Sequence, residues 1–154
     1  MKTKKKYEDV TAEYLCSATP GRGAVTYEDG YKIKGHRDEI EIAEWIHHTF
    51  GGDVRLLKES DIKNQKRSDY LWRGKLWELK ETSSSIDRAD KLLQYAIKQI
   101  QDNPGGVILN ILKNIDTATL EQQLMRRIQR SKIDTLDLMI LFNGELIKIL
   151  RYKK

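Results

Sequence analysis

The 154 residues include 28 Lys or Arg and 23 Asp or Glu, for a formal net charge of +5, with 39% of side chains hydrophobic and 33% charged. A chain of this size and mix buries about 70% of its unfolded surface in one core, which excludes a disulfide miniprotein, a fibrous chain and a two-domain enzyme. The apolar runs at 107–112 and 138–142 fall well short of the about 20 residues that a membrane-spanning helix needs, so no membrane partner is expected.

The chain opens on the basic run Lys4-Lys5-Lys6 with no apolar stretch behind it, which does not read as a secretory signal. Cys16 is alone and fits a reducing compartment, consistent with action in a cytoplasm. Residues 1–35 lack periodicity and carry the turn clusters Thr19-Pro20-Gly21-Arg22-Gly23 and Glu28-Asp29-Gly30, which predicts an extended, partly ordered arm before a domain over 36–154. Residues 37–50 have helical amphipathicity and stop at Gly51-Gly52. A short strand follows at 54–58, then a polar connection over 60–68. Two runs rich in Leu and aromatics, 69–72 and 75–80, flank Arg73-Gly74, the length of a two-residue hairpin loop. A second helix capped at Ser84, with Asp87 at its third position, runs to about 102 and ends before Pro104-Gly105-Gly106. A buried strand at 107–112, a third helix at 119–130 and a hairpin of 136–142 with 145–152 across Asn143-Gly144 complete the chain. This order predicts an α/β sandwich: a central mixed sheet flanked by helices.

Chemistry concentrates in the first hairpin. Pairing outward from Arg73-Gly74 sets Tyr70 opposite Trp77 and Asp69 opposite Glu78, so that Asp69, Glu78 and Lys80 emerge on one face. Directly opposed carboxylates repel by up to about 1 kcal/mol unless a cation lies between them. Hard oxygen ligands of this kind suit Mg²⁺ or Mn²⁺. Lys80 is placed to orient or deprotonate water, or to stabilise developing charge. On the first helix, Glu39 falls at the start of the apolar stripe of Ala43, Ile46 and Phe50, whereas Glu41 and Glu44 belong to the polar side. Glu39 is therefore the candidate third acid, although a carboxylate in a first turn is also favoured by the helix dipole. Tyr70, Trp72 and Trp77 occupy the other hairpin face, as core under the second helix rather than a base-stacking platform. His36, His47 and His48 read as surface residues.

Asp69, followed by Glu78-Leu79-Lys80, resembles the D…ExK core of the PD-(D/E)XK nuclease superfamily, with Glu39 in the place of its first-helix acid and Ser68 where the family has proline. The helix with Ala43-Glu44-Trp45-Ile46, its Phe50-Gly51-Gly52-Asp53 stop and the hairpin from Ser68 to Lys80 resemble more specifically the C-terminal tRNase domain of CdiA-type contact-dependent growth inhibition toxins. That resemblance, over about residues 36–152, implies a PD-(D/E)XK sandwich and a metal-dependent endoribonuclease acting on tRNA. It further implies Glu39, Asp69 and Glu78 as metal ligands, catalysis by these with Lys80, and a substrate contact from Lys98 or Gln99 on the second helix. A toxic nuclease of this kind would need a cognate immunity protein. The reading from a different class is a non-catalytic nucleic-acid-binding or mobile-element accessory protein that keeps the fold, for which a basic sequence pI near 9.2 would serve equally well.

Overall fold

The computed structural model describes residues 7–60, 67–100 and 105–154. The Lys4-Lys5-Lys6 run, the middle of the connection before Ser68 and the end of the second helix beyond residue 100 lie outside the described residues. Both hairpin loops adopt positive φ at two successive positions, Arg73 (53°) with Gly74 (69°) and Asn143 (50°) with Gly144 (79°). Turns of this hand match the twist of the flanking strands and thereby fix register. The first loop joins β4 (Tyr70–Trp72) to β5 (Lys75–Thr82), with Tyr70 opposite Trp77 as expected. The second joins β7 (Thr135–Phe142) to β8 (Glu145–Lys153).

With β1 (Tyr7–Asp9), β2 (Val25–Tyr27), β3 (Val54–Leu56) and β6 (Gly106–Ile111), the described residues form one eight-stranded mixed sheet around these hairpins, in the order β1-β8-β7-β6-β5-β4-β3-β2. Strands β5, β6 (Gly106–Ile111) and β7 run parallel, and the connections between them carry α3 (Ile86–Ile100) and α4 (Thr117–Arg130). Both helices pack on one face, where Leu93, Ile97, Leu124 and Ile128 meet Val107, Leu109, Leu138 and Ile140. On the other face α2 (Arg37–Thr49) covers β3 (Val54–Leu56), β4 and the centre of the sheet through Ile42, Ala43, Ile46 and Phe50.

The sequence-based expectations need three corrections. Residues expected as an extended arm instead hold β1 (Tyr7–Asp9), α1 (Thr11–Cys16) and β2 (Val25–Tyr27), which pair with β8 and β3 at the two edges of the sheet. Three-residue strands are too short to leave a periodicity, and their partners lie far away in the chain. The second helix starts one residue later than expected, because the Ser85 hydroxyl accepts the amide of Arg88 at 3.2 Å. Tyr70, Trp72 and Trp77 are core, but under α1 and α2 rather than α3. Tyr14 of α1 reaches across the sheet to them, with ring centroids 5.9 Å from Trp72 and 6.3 Å from Trp77.

Trp77 fixes the centre of this layer. It is fully buried, its indole N–H donates to the Trp72 carbonyl at 3.1 Å, and its ring fills the space beside Gly106, where a Cβ would approach ring carbons to 2.2 Å. Replacing Trp77 by Ala should therefore cost about 3–5 kcal/mol through the cavity left behind, read as a lower denaturation midpoint at unchanged slope. A midpoint equal to that of the wild type would show that this layer does not hold the sheet.

Candidate active site

Strand β4 begins at Tyr70, so Asp69 is not the ladder partner of Glu78 that simple alternation requires. Its amide donates to the Trp77 carbonyl at 2.9 Å, and its carboxylate Oδ2 accepts the Leu79 amide at 2.7 Å. Two acids forced directly opposite one another would repel. The chain instead slips by one residue here and uses one acid to satisfy a strand amide that has lost its backbone partner. The side chain of Asp69 thus comes to lie beside that of Glu78 at the edge of β5.

Glu78 is 4% exposed, and its Oε2 is buried without a hydrogen-bond partner. Its Oε1 faces Lys80 Nζ at 3.7 Å, as expected for residues two apart on one strand face. On the far side of Asp69 stands Glu39, carried by the first turn of α2 and fixed from two directions. The Tyr70 hydroxyl donates to its backbone carbonyl at 2.6 Å, and the Tyr31 hydroxyl donates to its carboxylate at 2.9 Å. The structure therefore brings together Glu39, Asp69, Glu78 and Lys80, in a row with Asp69 between the two glutamates. Glu41 and Glu44 are exposed, and Glu41 pairs with Arg37 at 2.9 Å.

The electrostatics follow from this crowding. Burial, then the charge of Asp69, pushes Glu39 up to about 7. Burial, then the neighbouring Glu78, pushes Asp69 up to about 7 against the pull of the Leu79 amide. Glu78 is also raised by burial, partly offset by Asp69 and Lys80. Three carboxyl groups share this edge with one nearby lysine, and at neutral pH they compete for protons.

Two residues beside the row escaped the sequence reading. Tyr31 lies in the segment expected as an arm. His36, expected on the surface, stacks near Tyr31 with centroids 5.4 Å apart. Its Nδ1 is buried without a hydrogen-bond partner, 4.0 Å from Glu39. No sequence signal marks either residue, since both reach Glu39 only through the path of the loop before α2. Glu39 and His36 also line a cleft of about 370 Å³ with Leu79 and Glu81. Of the two helix candidates, Lys98 is exposed and turned towards α4, whereas Gln99 is half-buried and its amide oxygen has no partner. His47 bonds the Gly23 carbonyl at 3.0 Å and His48 is exposed, so neither joins the row.

Among the described residues no three His, Cys, Asp or Glu side chains surround one point as a ready metal cage. The donor set nevertheless fits a hard divalent cation, because it offers carboxylate oxygens only, one of them the buried Glu78 Oε2 with no partner.

No protein-family model matches the sequence, and no curated protein matches it. Among solved structures, the fold is similar to a chain of the CdiA-CT/CdiI toxin and immunity complex from Burkholderia pseudomallei, with a TM-score of 0.56 at 11% identity, covering 85% of this chain and 100% of that one. The two chains share a mixed α/β fold across most of their length.

The raised acids set the sign of a pH effect. Unfolded, Asp69 and Glu39 titrate near 3.8 and 4.5; folded, both titrate near 7. The folded chain therefore binds more protons in this window, and their contribution to stability falls as pH rises from about 4 to about 7 and stays low above it. In EDTA, lowering the pH from about 8 to about 5.5 should stabilise the wild type relative to Asp69→Asn, with the variant the more stable of the two at about pH 8. Parallel stability curves for the two proteins would show that the row is not crowded in solution.

Proposed function

We propose that this chain is a metal-dependent endoribonuclease of the toxin type that hydrolyses a phosphodiester bond in tRNA. The observation that carries the reading is the row of half-buried Glu39 and Asp69 with buried Glu78, ending at Lys80, with an unpartnered oxygen on Glu78. Stability alone does not favour three mutually repelling acids crowded together with one of them buried, and a binding module for a polyanion has no use for them. Asp69 and Glu78 would hold Mg²⁺ or Mn²⁺, with Glu39 as a third ligand; the cation supplies a more acidic water and neutralises charge at the phosphate. Lys80 stands beside the ligand Glu78, placed to orient the attacking water or to stabilise charge building on the phosphate oxygens. Tyr31 positions Glu39 by donating to its carboxylate. Gln99 offers an unsatisfied amide oxygen on α3 as a polar contact to substrate, with Lys98 beside it. The fold shared with a toxin and immunity complex supports the toxin reading and a cognate immunity protein as partner. Cleavage of tRNA places the site of action in a cytoplasm.

Purified protein incubated with total tRNA should cleave it with Mg²⁺ or Mn²⁺ and lose all cleavage in excess EDTA. Asp69→Asn and Glu78→Gln should abolish cleavage while binding RNA as tightly as the wild type or more so, since each removes a negative charge facing the phosphates. Lys80→Ala should slow the reaction by about 10²–10⁴-fold, whereas Glu44→Ala should leave it unchanged. Folded Asp69→Asn and Glu78→Gln proteins that cut tRNA at the wild-type rate would overturn the assignment in favour of a non-catalytic RNA-binding protein.

A further inference from the structure

The C-terminal ends of α3 and α4 enclose a pocket of about 360 Å³ that shares no lining residue with the acidic row. Its apolar lining is Ile97 and Ile133; around it stand Lys98 from α3, Arg127 and Arg130 from α4, and Lys132 just beyond α4. Arg127 is held in place by Asp90, which accepts its Nη2 at 2.7 Å and its Nε at 3.2 Å. Lys98, Arg130 and Lys132 make no hydrogen bond or ion pair through their side chains among the described residues. The helix dipole accounts for cations in the last turn of α3 or of α4, taken one helix at a time. It does not account for Lys132, which lies past the helix, nor for three unneutralised cations converging on one concave site, where they repel one another.

We infer that this pocket is a second RNA contact, taking one backbone phosphate and the adjoining unstacked base of a single-stranded segment. For its substrate class the inference rests on the nuclease reading above. Arg130, Lys132 and Lys98 supply the charge for phosphate. The Arg127 guanidinium, its plane fixed by Asp90, and the two isoleucines give a base a surface to stack on, and the half-buried Gln94 amide at the rim offers a donor and an acceptor for its edge. An acidic protein would satisfy the charges but would not fill a concavity of this size, which suits a single nucleotide. Gln99 follows Lys98 by one residue and points about 100° away around α3. One helix end therefore presents the pocket to one side and the proposed substrate amide to another, so that a strand anchored in the pocket is held on the helix that carries Gln99.

The test uses a fluorescein-labelled single-stranded RNA and anisotropy titrations across a salt series, all in a Glu78→Gln background with RNA integrity checked by gel. Adding Arg130→Gln with Lys132→Gln should weaken binding by about tenfold or more and reduce the slope of log Kd against log salt by about 0.7, the value for one lost single-strand phosphate contact. The control pair Lys113→Gln with Arg22→Gln removes the same charge at exposed positions outside the pocket and should change the slope by less than half as much. Circular dichroism establishes that each variant is folded, and Arg130→Lys covers the case in which the glutamine pair is not, because it keeps the charge and should keep the slope. An unchanged slope in the pocket pair, or an equal change in the control pair, would overturn the pocket and leave the nuclease reading intact. A wild type that binds RNA with the pocket-dependent slope but never cuts it would support the pocket and sink the nuclease reading. Displacement of the RNA by poly-glutamate as effectively as by unlabelled RNA would assign the pocket to an acidic protein and overturn the proposal.

Discussion

Burying carboxylates without a matching set of cations is the constraint around which this structure is arranged. The contrast lies within the fold itself. Asp137 is also buried, at 2% exposure, but Arg151 donates to it at 2.8 Å, Lys75 at 2.9 Å, and the Tyr14 hydroxyl donates as well. Burial raises that carboxyl, yet these hydrogen bonds outweigh it and hold the group below its ordinary range. Such an acid ties α1 and the ends of two strands together and asks for nothing more. Glu39, Asp69 and Glu78 receive no such set of partners; they are pushed up, and one oxygen is left without any. The same chain thus satisfies a buried acid where structure requires it and leaves three short of partners where β4 and β5 meet the first turn of α2.

What holds the row together is ordinary packing. The tyrosine and two tryptophans of the hairpin lock β4 and β5 beneath α2, and the Tyr70 hydroxyl fastens the first turn of that helix to the strand. Glu39 is thereby delivered to the point where β4 begins, beside Asp69. The aromatic layer and the acids are consecutive in sequence because one supports the other: alternate residues of β5 face opposite ways, Trp77 and Leu79 into the core under α2, Glu78 and Lys80 away from it.

Much of this was legible in the sequence. The Arg73-Gly74 and Asn143-Gly144 loops fix both hairpin registers, and the apolar stripe of Ala43, Ile46 and Phe50 marks α2. Glu39 stood out from Glu41 and Glu44 by its place on the apolar stripe. Other features depend on contacts that no local pattern encodes. Strands β1 and β2 are three residues each and exist only through β8 and β3. The slip at Asp69 follows from an amide that needs an acceptor, which alternation alone does not reveal. Tyr31 and His36 reach Glu39 through a loop, and the cations of the α3–α4 pocket look like solvated helix faces until the two helix ends are brought together.

Titration calorimetry tests most directly the proposal that the crowded acids bind a divalent cation. Mn²⁺ titrated into the wild type near pH 6.5, in buffers of different ionisation enthalpy, should bind and release protons, because acids that titrate near 7 must deprotonate to act as ligands. Asp69→Asn and Glu78→Gln should abolish that heat. Binding with no proton release, or binding that survives both substitutions, would contradict the account.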